Sequence, residues 1–192
     1  MKIVLVSNVE PEDESFNEPL LKSLTPLAEV ETIHYAHVPP VAELEARFDG
    51  IVTSGTPLSY PLDDIDTRVA HIQWMRDITI PVLGICLGHQ NIGRLFGSQL
   101  FLGEEAEEGL RALHIVQDDP LFKGVQSGEK VVEHHRASVN VPDGFVLLAS
   151  TATCRNQTMK HATKPLYSVQ FHPELSEATG PQIFKNFVGM LG

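Results

Sequence analysis

The 192-residue chain is poor in cysteine, tryptophan and tyrosine, with two, one and three respectively, and it carries only 14 Lys and Arg against 25 Asp and Glu. Two cysteines, Cys86 and Cys154, with no C-x-x-C pair exclude a disulfide scaffold and a zinc knuckle. The shortage of cations leaves a formal net charge of −11. That balance excludes a nucleic-acid groove or a basic membrane face, because either needs clustered Lys and Arg to meet phosphates. The opening "MKIVLVSNVE" has too few consecutive apolar residues for a signal-peptide core or a membrane span, so a cytoplasmic protein is expected. Repeats, low-complexity stretches and linkers are also lacking, and the length predicts one compact domain over 1–192. Small molecules or another protein are left as partners.

What is present is an alternation of strand and helix signals. "KIVLV" (2–6) and "GIVTSG" (50–55) are continuous β-branched runs of the kind covered on both faces, and "VETIHYA" (30–36) reads as another. Parallel strands are implied. "FNEPLLKSLTPLA" (16–28) spaces leucines at helical intervals, with Pro26 set to end the helix near its close. Apolar residues three or four apart from Asp64 to Ile78 predict a single amphipathic helix. "PVLGI" (81–85) predicts a short buried strand, and "LGHQNIGRLFG" (87–97) a helix stopped by Gly97. Past Gly97 come short strand-like runs, "SQLFL", "LRALHIV", "KVVEHH", "FVLLAS" and "LYSVQF", so part of the sheet is expected to be antiparallel. A closing amphipathic helix is predicted over 180–191.

"GICLGHQ" (84–90) puts Cys86 between two glycines at the passage from a buried strand to a helix. G-x-C-x-G in that context is the thiol form of the nucleophile elbow, where glycines allow a tight, strained turn that lifts the side chain out of the sheet. The same position is a helix N-terminus, whose free N–H groups and dipole favour a thiolate. An apolar-flanked cysteine is otherwise an inert core residue, so the decisive partner is a histidine held by an acid. In "VQFHPEL" (169–175), His172 and Glu174 alternate about a rigid proline and fall on one side. His89, three residues after Cys86, is the competing base but has no acid to orient it. His134 and His135 suggest a metal pair until one notes that strand neighbours point to opposite faces, so no metal site is expected. Histidines 34, 37, 71, 114 and 161 have no acidic or cysteine partner at a telling spacing and are given no role.

"GICLGHQ" followed by "QFHPE" resembles the class I glutamine amidotransferases. The resemblance covers nearly the whole chain and implies a three-layer, flavodoxin-like α/β fold with a mostly parallel central sheet and an antiparallel extension. It implies glutamine hydrolysis by a Cys86–His172–Glu174 triad through a γ-glutamyl thioester. The backbone N–H groups of Leu87 and Thr56 would form the oxyanion hole, and Gly55, Leu58, Gln90, Arg136 and Ala137 would hold the substrate. "LASTATCRNQTMKH" with "PLYSVQFHPE" looks most like the glutaminase part of GMP synthetase when that part is a separate polypeptide. No cofactor is then expected in this chain, and ATP and Mg would belong to a partner synthetase of the ATP pyrophosphatase type.

Three segments depart from that pattern. "SGTP" has Thr56 where the family usually has a second glycine, and a β-branched residue resists positive φ, which implies that the donor is set by rearrangement on a partner. Where GMP synthetases usually carry Ser-His-x-Asp, this chain reads His134, His135, Arg136, Ala137, without the Asp. "DESFNEPL" (13–20) is closer to the glutaminases of anthranilate and aminodeoxychorismate synthases. A glutaminase for another synthetase, a stand-alone γ-glutamyl hydrolase and a non-catalytic regulatory module therefore stay open as alternatives.

Overall fold

A computed structural model describes residues 1–57 and 65–192. The chain runs β1 (Lys2–Ser7), α1 (Glu18–Leu24), β2 (Glu29–His34), α2 (Val41–Arg47), β3 (Gly50–Thr53), α3 (Ile65–His71), β4 (Val82–Ile85) and α4 (Leu87–Leu95). It continues through β5 (Leu100–Ala112), β6 (His114–Ile115), β7 (Lys130–Val139), β8 (Phe145–Ser150), β9 (Thr158–His161), β10 (Leu166–Val169) and α5 (Gly180–Val188). Eight strands form one sheet in the order β2-β1-β3-β4-β10-β9-β8-β6. The first five are mutually parallel and the last three join antiparallel. This is the expected parallel sheet with an antiparallel extension.

The β-branched runs explain the layering. In β1, Ile3 and Leu5 face a core that includes Leu20 and Leu24 of α1 and Ile183, Phe184 and Phe187 of α5. Val4 and Val6 face a second core with Leu44 of α2 and Ile92 and Leu95 of α4. Both faces of the strand are thus covered by helices, the arrangement that parallel strands require. All four of these β1 residues are fully buried.

Several expectations need correction. The helix predicted from Asp64 to Ile78 is broken: α3 stops at His71 and a 3₁₀ turn follows over Gln73–Arg76, while Asp64 lies outside the described residues. Ile72, Met75 and Ile78 are spaced by three and all buried, which a three-residue turn aligns on one face as well as an α-helix would. "SQLFL" and "LRALHIV" do not give separate short strands, because β5 runs unbroken through the acidic Glu104–Glu108 segment. β5 pairs only with β7, in a two-stranded sheet of its own, with a register shift between Leu102 and Glu107. β9 is an additional strand whose sequence carries no alternating apolar signal.

One close contact ties α5 to the loop after β10. A Cβ built on Gly180 would lie 1.8 Å from the Pro173 carbonyl oxygen, so only glycine lets the helix start there. Gly180→Ala should lower the unfolding free energy in urea by ~3 kcal/mol. Gly192→Ala, with nothing within 4 Å, should leave it unchanged as the control.

Candidate active site

Cys86 sits between β4 and α4 with φ 50° and ψ −102°, the one non-glycine residue of positive φ among the described residues. The turn is held from both sides: its N–H donates to the Val169 carbonyl at 2.9 Å, and its carbonyl accepts from the Gln90 N–H at 3.0 Å. The glycines on either side act through sterics rather than through their own φ. A Cβ on Gly84 would meet the Gly88 carbonyl at 2.8 Å, and one on Gly88 would meet the Thr53 carbonyl oxygen at 2.7 Å. The α4 N-terminus is therefore pressed directly onto β3 and β4, the geometry predicted for an elbow.

His172 and Glu174 come together as the proline spacing predicts. His172 Nδ1 lies 2.6 Å from Glu174 Oε1, with the ring almost wholly buried. The histidine follows the end of β10, and its N–H donates to the Val132 carbonyl of β7 at 2.9 Å. The other ring nitrogen, Nε2, is buried without a conventional hydrogen-bond partner and faces the Cys86 sulfur. A Cβ on Gly55 would stand 3.1 Å from His172 Cε1 and 3.2 Å from Cys86 Cβ, so this glycine is wedged between the two. Burial disfavours the charged ring, but the Cys86 sulfur and the Glu174 carboxylate beside it outweigh that and hold its pKa well above the ordinary histidine value.

The competing histidine, His89, is engaged elsewhere. Its ring is fully buried and hydrogen-bonded through Nδ1 to Ser168 Oγ at 2.9 Å, and burial first, then the charge of His135, pushes its pKa down to about 3. Cys154 is the inert thiol of the pair, since burial and the carboxylates of Glu133 and Glu107 push it up to about 12.

Of the remaining predicted residues, Gln90 is buried, and its Nε2 donates to the Ala137 carbonyl at 2.7 Å and to Gln170 Oε1 at 3.1 Å. Arg136 is exposed and reaches the Gly103 carbonyl at 3.3 Å. Leu87 opens α4, so its N–H is one of those left unbonded within the helix. Thr56 does not adopt positive φ, as its branched Cβ predicts, and its Oγ1 is buried without a partner. Leu58 lies outside the described residues. Among the described residues no group of three His, Cys, Asp or Glu is arranged to hold a metal. No helix among them is long and apolar enough to cross a membrane.

Several supporting residues escape sequence reasoning. Asn8, at the carboxyl end of β1, pins the loop after β3: its N–H meets Ser54 Oγ at 2.9 Å and its Nδ2 meets the Ser54 carbonyl at 2.6 Å. Phe16 and His134 pack their rings edge-on to His172, with centroids 6.5 and 6.2 Å away. The His134 carbonyl also accepts from Cys86 Sγ at 3.9 Å. His34, given no acidic partner from the sequence, lies 3.7 Å from Glu10 Oε2. None of these pairings has a fixed sequence spacing to reveal it.

A family model, glutamine amidotransferase class-I, matches residues 12–190. A glutamine-hydrolyzing GMP synthase subunit from Thermococcus kodakarensis is 36% identical over 156 residues, 80% of this chain and 81% of that one. The protein of the same name from Archaeoglobus fulgidus is 32% identical over 190 residues, 98% of this chain and 97% of its own. A crystal structure from Thermoplasma acidophilum, provisionally described as a GMP synthase subunit, superposes with a TM-score of 0.86 at 30% identity, covering 98% of this chain and 92% of that one. A glutamine amidotransferase structure from Thermotoga maritima, 19% identical with a TM-score of 0.71 and covering 100% of this chain and 84% of that one, shares the fold. The chain belongs to the class I glutamine amidotransferase family and is an enzyme of that class.

The His89 environment gives a testable pH dependence. Its pKa is depressed from 6.5 to about 3 on folding, so the unfolded chain binds the extra proton first. The stability this group confers is complete above pH ~6.5 and is lost as pH falls toward ~3. Against His89→Gln in urea melts, the wild-type advantage should shrink by about 1.4 kcal/mol per pH unit between pH ~6 and ~4. An advantage that does not change with pH would mean that His89 titrates normally.

Proposed function

We propose that this chain hydrolyses glutamine to glutamate and ammonia through Cys86, His172 and Glu174. The observation that carries the reading is His172, buried between the Cys86 sulfur on one nitrogen and the Glu174 carboxylate at 2.6 Å on the other. In this reading His172 Nε2 takes the thiol proton and the sulfur attacks the γ-carboxamide carbon. The tetrahedral oxyanion is met by the N–H groups of Leu87 and Thr56. The C–N bond then breaks, His172 returns the proton to the leaving nitrogen, and ammonia departs from a γ-glutamyl thioester. Water gives a proton to His172 as its oxygen adds to the thioester carbon, the C–S bond breaks, His172 returns the proton to the departing sulfur, and glutamate is released. Glu174 keeps the imidazole in the required tautomer and stabilises its charged form. Gln90, Gly55, Leu58 and the backbone at Arg136 and Ala137 hold the substrate.

We further propose that the ammonia passes to an ATP-dependent synthetase partner of the ATP pyrophosphatase type, which converts xanthosine monophosphate to GMP in the cytoplasm. The names of the Thermococcus kodakarensis and Archaeoglobus fulgidus relatives, matched over 80% and 98% of this chain, support this assignment. ATP and Mg would act on that partner, with no cofactor on this chain. Thr56, which is not left-handed here, fits a donor set only when the partner binds.

The test is glutamate release with and without such a synthetase, ATP, Mg and xanthosine monophosphate. Cys86→Ala should reduce release by about 1,000-fold or more, and Glu174→Gln should lower kcat by about 100-fold with KM little changed. Undiminished turnover in Cys86→Ala would overturn the mechanism. A wild-type enzyme that is active yet indifferent to the synthetase and the nucleotide would assign it to another acceptor.

A further inference from the structure

Beside the elbow, β7 carries a buried acid–imidazole cluster that the hydrolytic steps do not use. Glu133 and His135 lie two residues apart, so both point to the buried face of the strand, with 1% and 5% of their surfaces exposed. His135 Nε2 is 3.0 Å from Glu133 Oε2 and 3.6 Å from Glu107 Oε2, which reaches in from β5. Among the described residues, neither Glu133 oxygen nor His135 Nε2 has a hydrogen-bond partner, so carboxylate and ring meet as a close charge contact rather than a directed hydrogen bond. The opposite nitrogen, Nδ1, is 3.1 Å from the Ala137 carbonyl oxygen. A peptide oxygen can only accept, so Nδ1 is the protonated nitrogen in that bond.

The Ala137 carbonyl is the junction. It accepts from His135 on one side and from Gln90 Nε2 on the other, at 2.7 Å. Gln90 stands on α4 one turn beyond Cys86, so the acid-backed ring is linked through one carbonyl to the helix that starts at the nucleophile. A neutral imidazole with its proton on Nε2 would present a lone pair to the Ala137 oxygen and lose that bond. With its proton on Nδ1 the ring clamps the Ala137 oxygen, while the Glu133 and Glu107 carboxylates stand against its opposite edge. Glu107 is itself held, by Arg111 Nε at 3.3 Å and by the Thr153 hydroxyl.

We infer that His135, braced by Glu133 and Glu107, is a positioning residue that fixes the Ala137 carbonyl and Gln90, and so presets the 136–137 backbone that receives the amino and carboxylate groups of glutamine. This rests on the proposed reading of glutamine as substrate and of 136–137 as its wall. It predicts a defect in substrate capture with an intact nucleophile.

The test replaces the buried pair by apolar side chains, since removing one partner alone would strand a charge. In Glu133→Leu/His135→Leu, KM for glutamine should rise about fivefold to tenfold, the loss of one well-placed hydrogen bond, with kcat within about twofold. Alkylation of Cys86 by iodoacetamide should be unchanged, while labelling by a chloroketone analogue of glutamine slows by the same factor as KM rises. Glu133→Gln, which keeps the ring but removes the charge behind it, should give a smaller rise and decides the matter if the double variant does not fold. A KM within twofold of wild type in a folded variant, or a parallel fall in kcat and in iodoacetamide reactivity, would overturn the inference. If wild type neither turns over glutamine nor takes the chloroketone while iodoacetamide still alkylates Cys86, the substrate reading fails first and the positioning role with it.

Discussion

One backbone conformation governs the rest of the site: Cys86 at positive φ on the single peptide step between β4 and α4. A non-glycine residue there costs about 1–3 kcal/mol, a sizeable share of the ~5–15 kcal/mol by which a domain is stable. It persists because its neighbours leave it no alternative. The Cys86 N–H is fastened to β10 and its carbonyl to α4, and Gly88 lies against Thr53 at a distance that no side chain would permit. The strain puts the thiol above the carboxyl ends of β3, β4 and β10, where parallel strands present their loops. Gly55 from β3 and His172 from β10 meet it there.

Three buried imidazoles show that surroundings, not residue type, set what a histidine can do. His89 faces a serine hydroxyl and a positively chargeable neighbour, and burial drives it to about 3, so it stays neutral and structural. His172 is as deeply buried, yet the sulfur and carboxylate at its two nitrogens reverse the outcome and favour the charged ring. His135 has a carboxylate on one side and a peptide carbonyl on the other. Burial lowers His89 and His172 alike, and only at His172 do the adjacent sulfur and carboxylate reverse the direction.

What can be read from the sequence follows the range of each interaction. Strands β1 to β4 and helix α4 are legible because covered strands and glycine-stopped helices are local patterns. The Cys86 elbow is legible because the strain needs small neighbours within two residues. The His172–Glu174 pair is legible because a proline fixes its geometry. β5 is misread because its acidic stretch breaks the apolar pattern while the strand carries on across the register shift between Leu102 and Glu107, and the predicted Asp64–Ile78 helix fails because spacings of three suit a 3₁₀ turn equally well. Asn8, Phe16 and the Glu107–Glu133–His135 cluster depend on side chains brought together across tens of residues. Periodicity carries no record of such contacts.

The two-stranded β5–β7 sheet then takes on a mechanical meaning. It is separate from the main sheet, and its residues touch the site at several fastened points. Val132 accepts from the His172 N–H and donates to Ser176 Oγ, whose own hydroxyl donates to the His172 carbonyl. The His134 carbonyl meets the Cys86 thiol, and the Ala137 carbonyl meets Gln90. One strand therefore touches the histidine, the cysteine and the buried glutamine side chain within six residues, so a small shift of β7 would move all three together. The parallel half supplies the strained thiol, which its own packing keeps in place. The antiparallel arm sets the distances around it, and the differences from the expected family pattern at 134–137 fall on that arm.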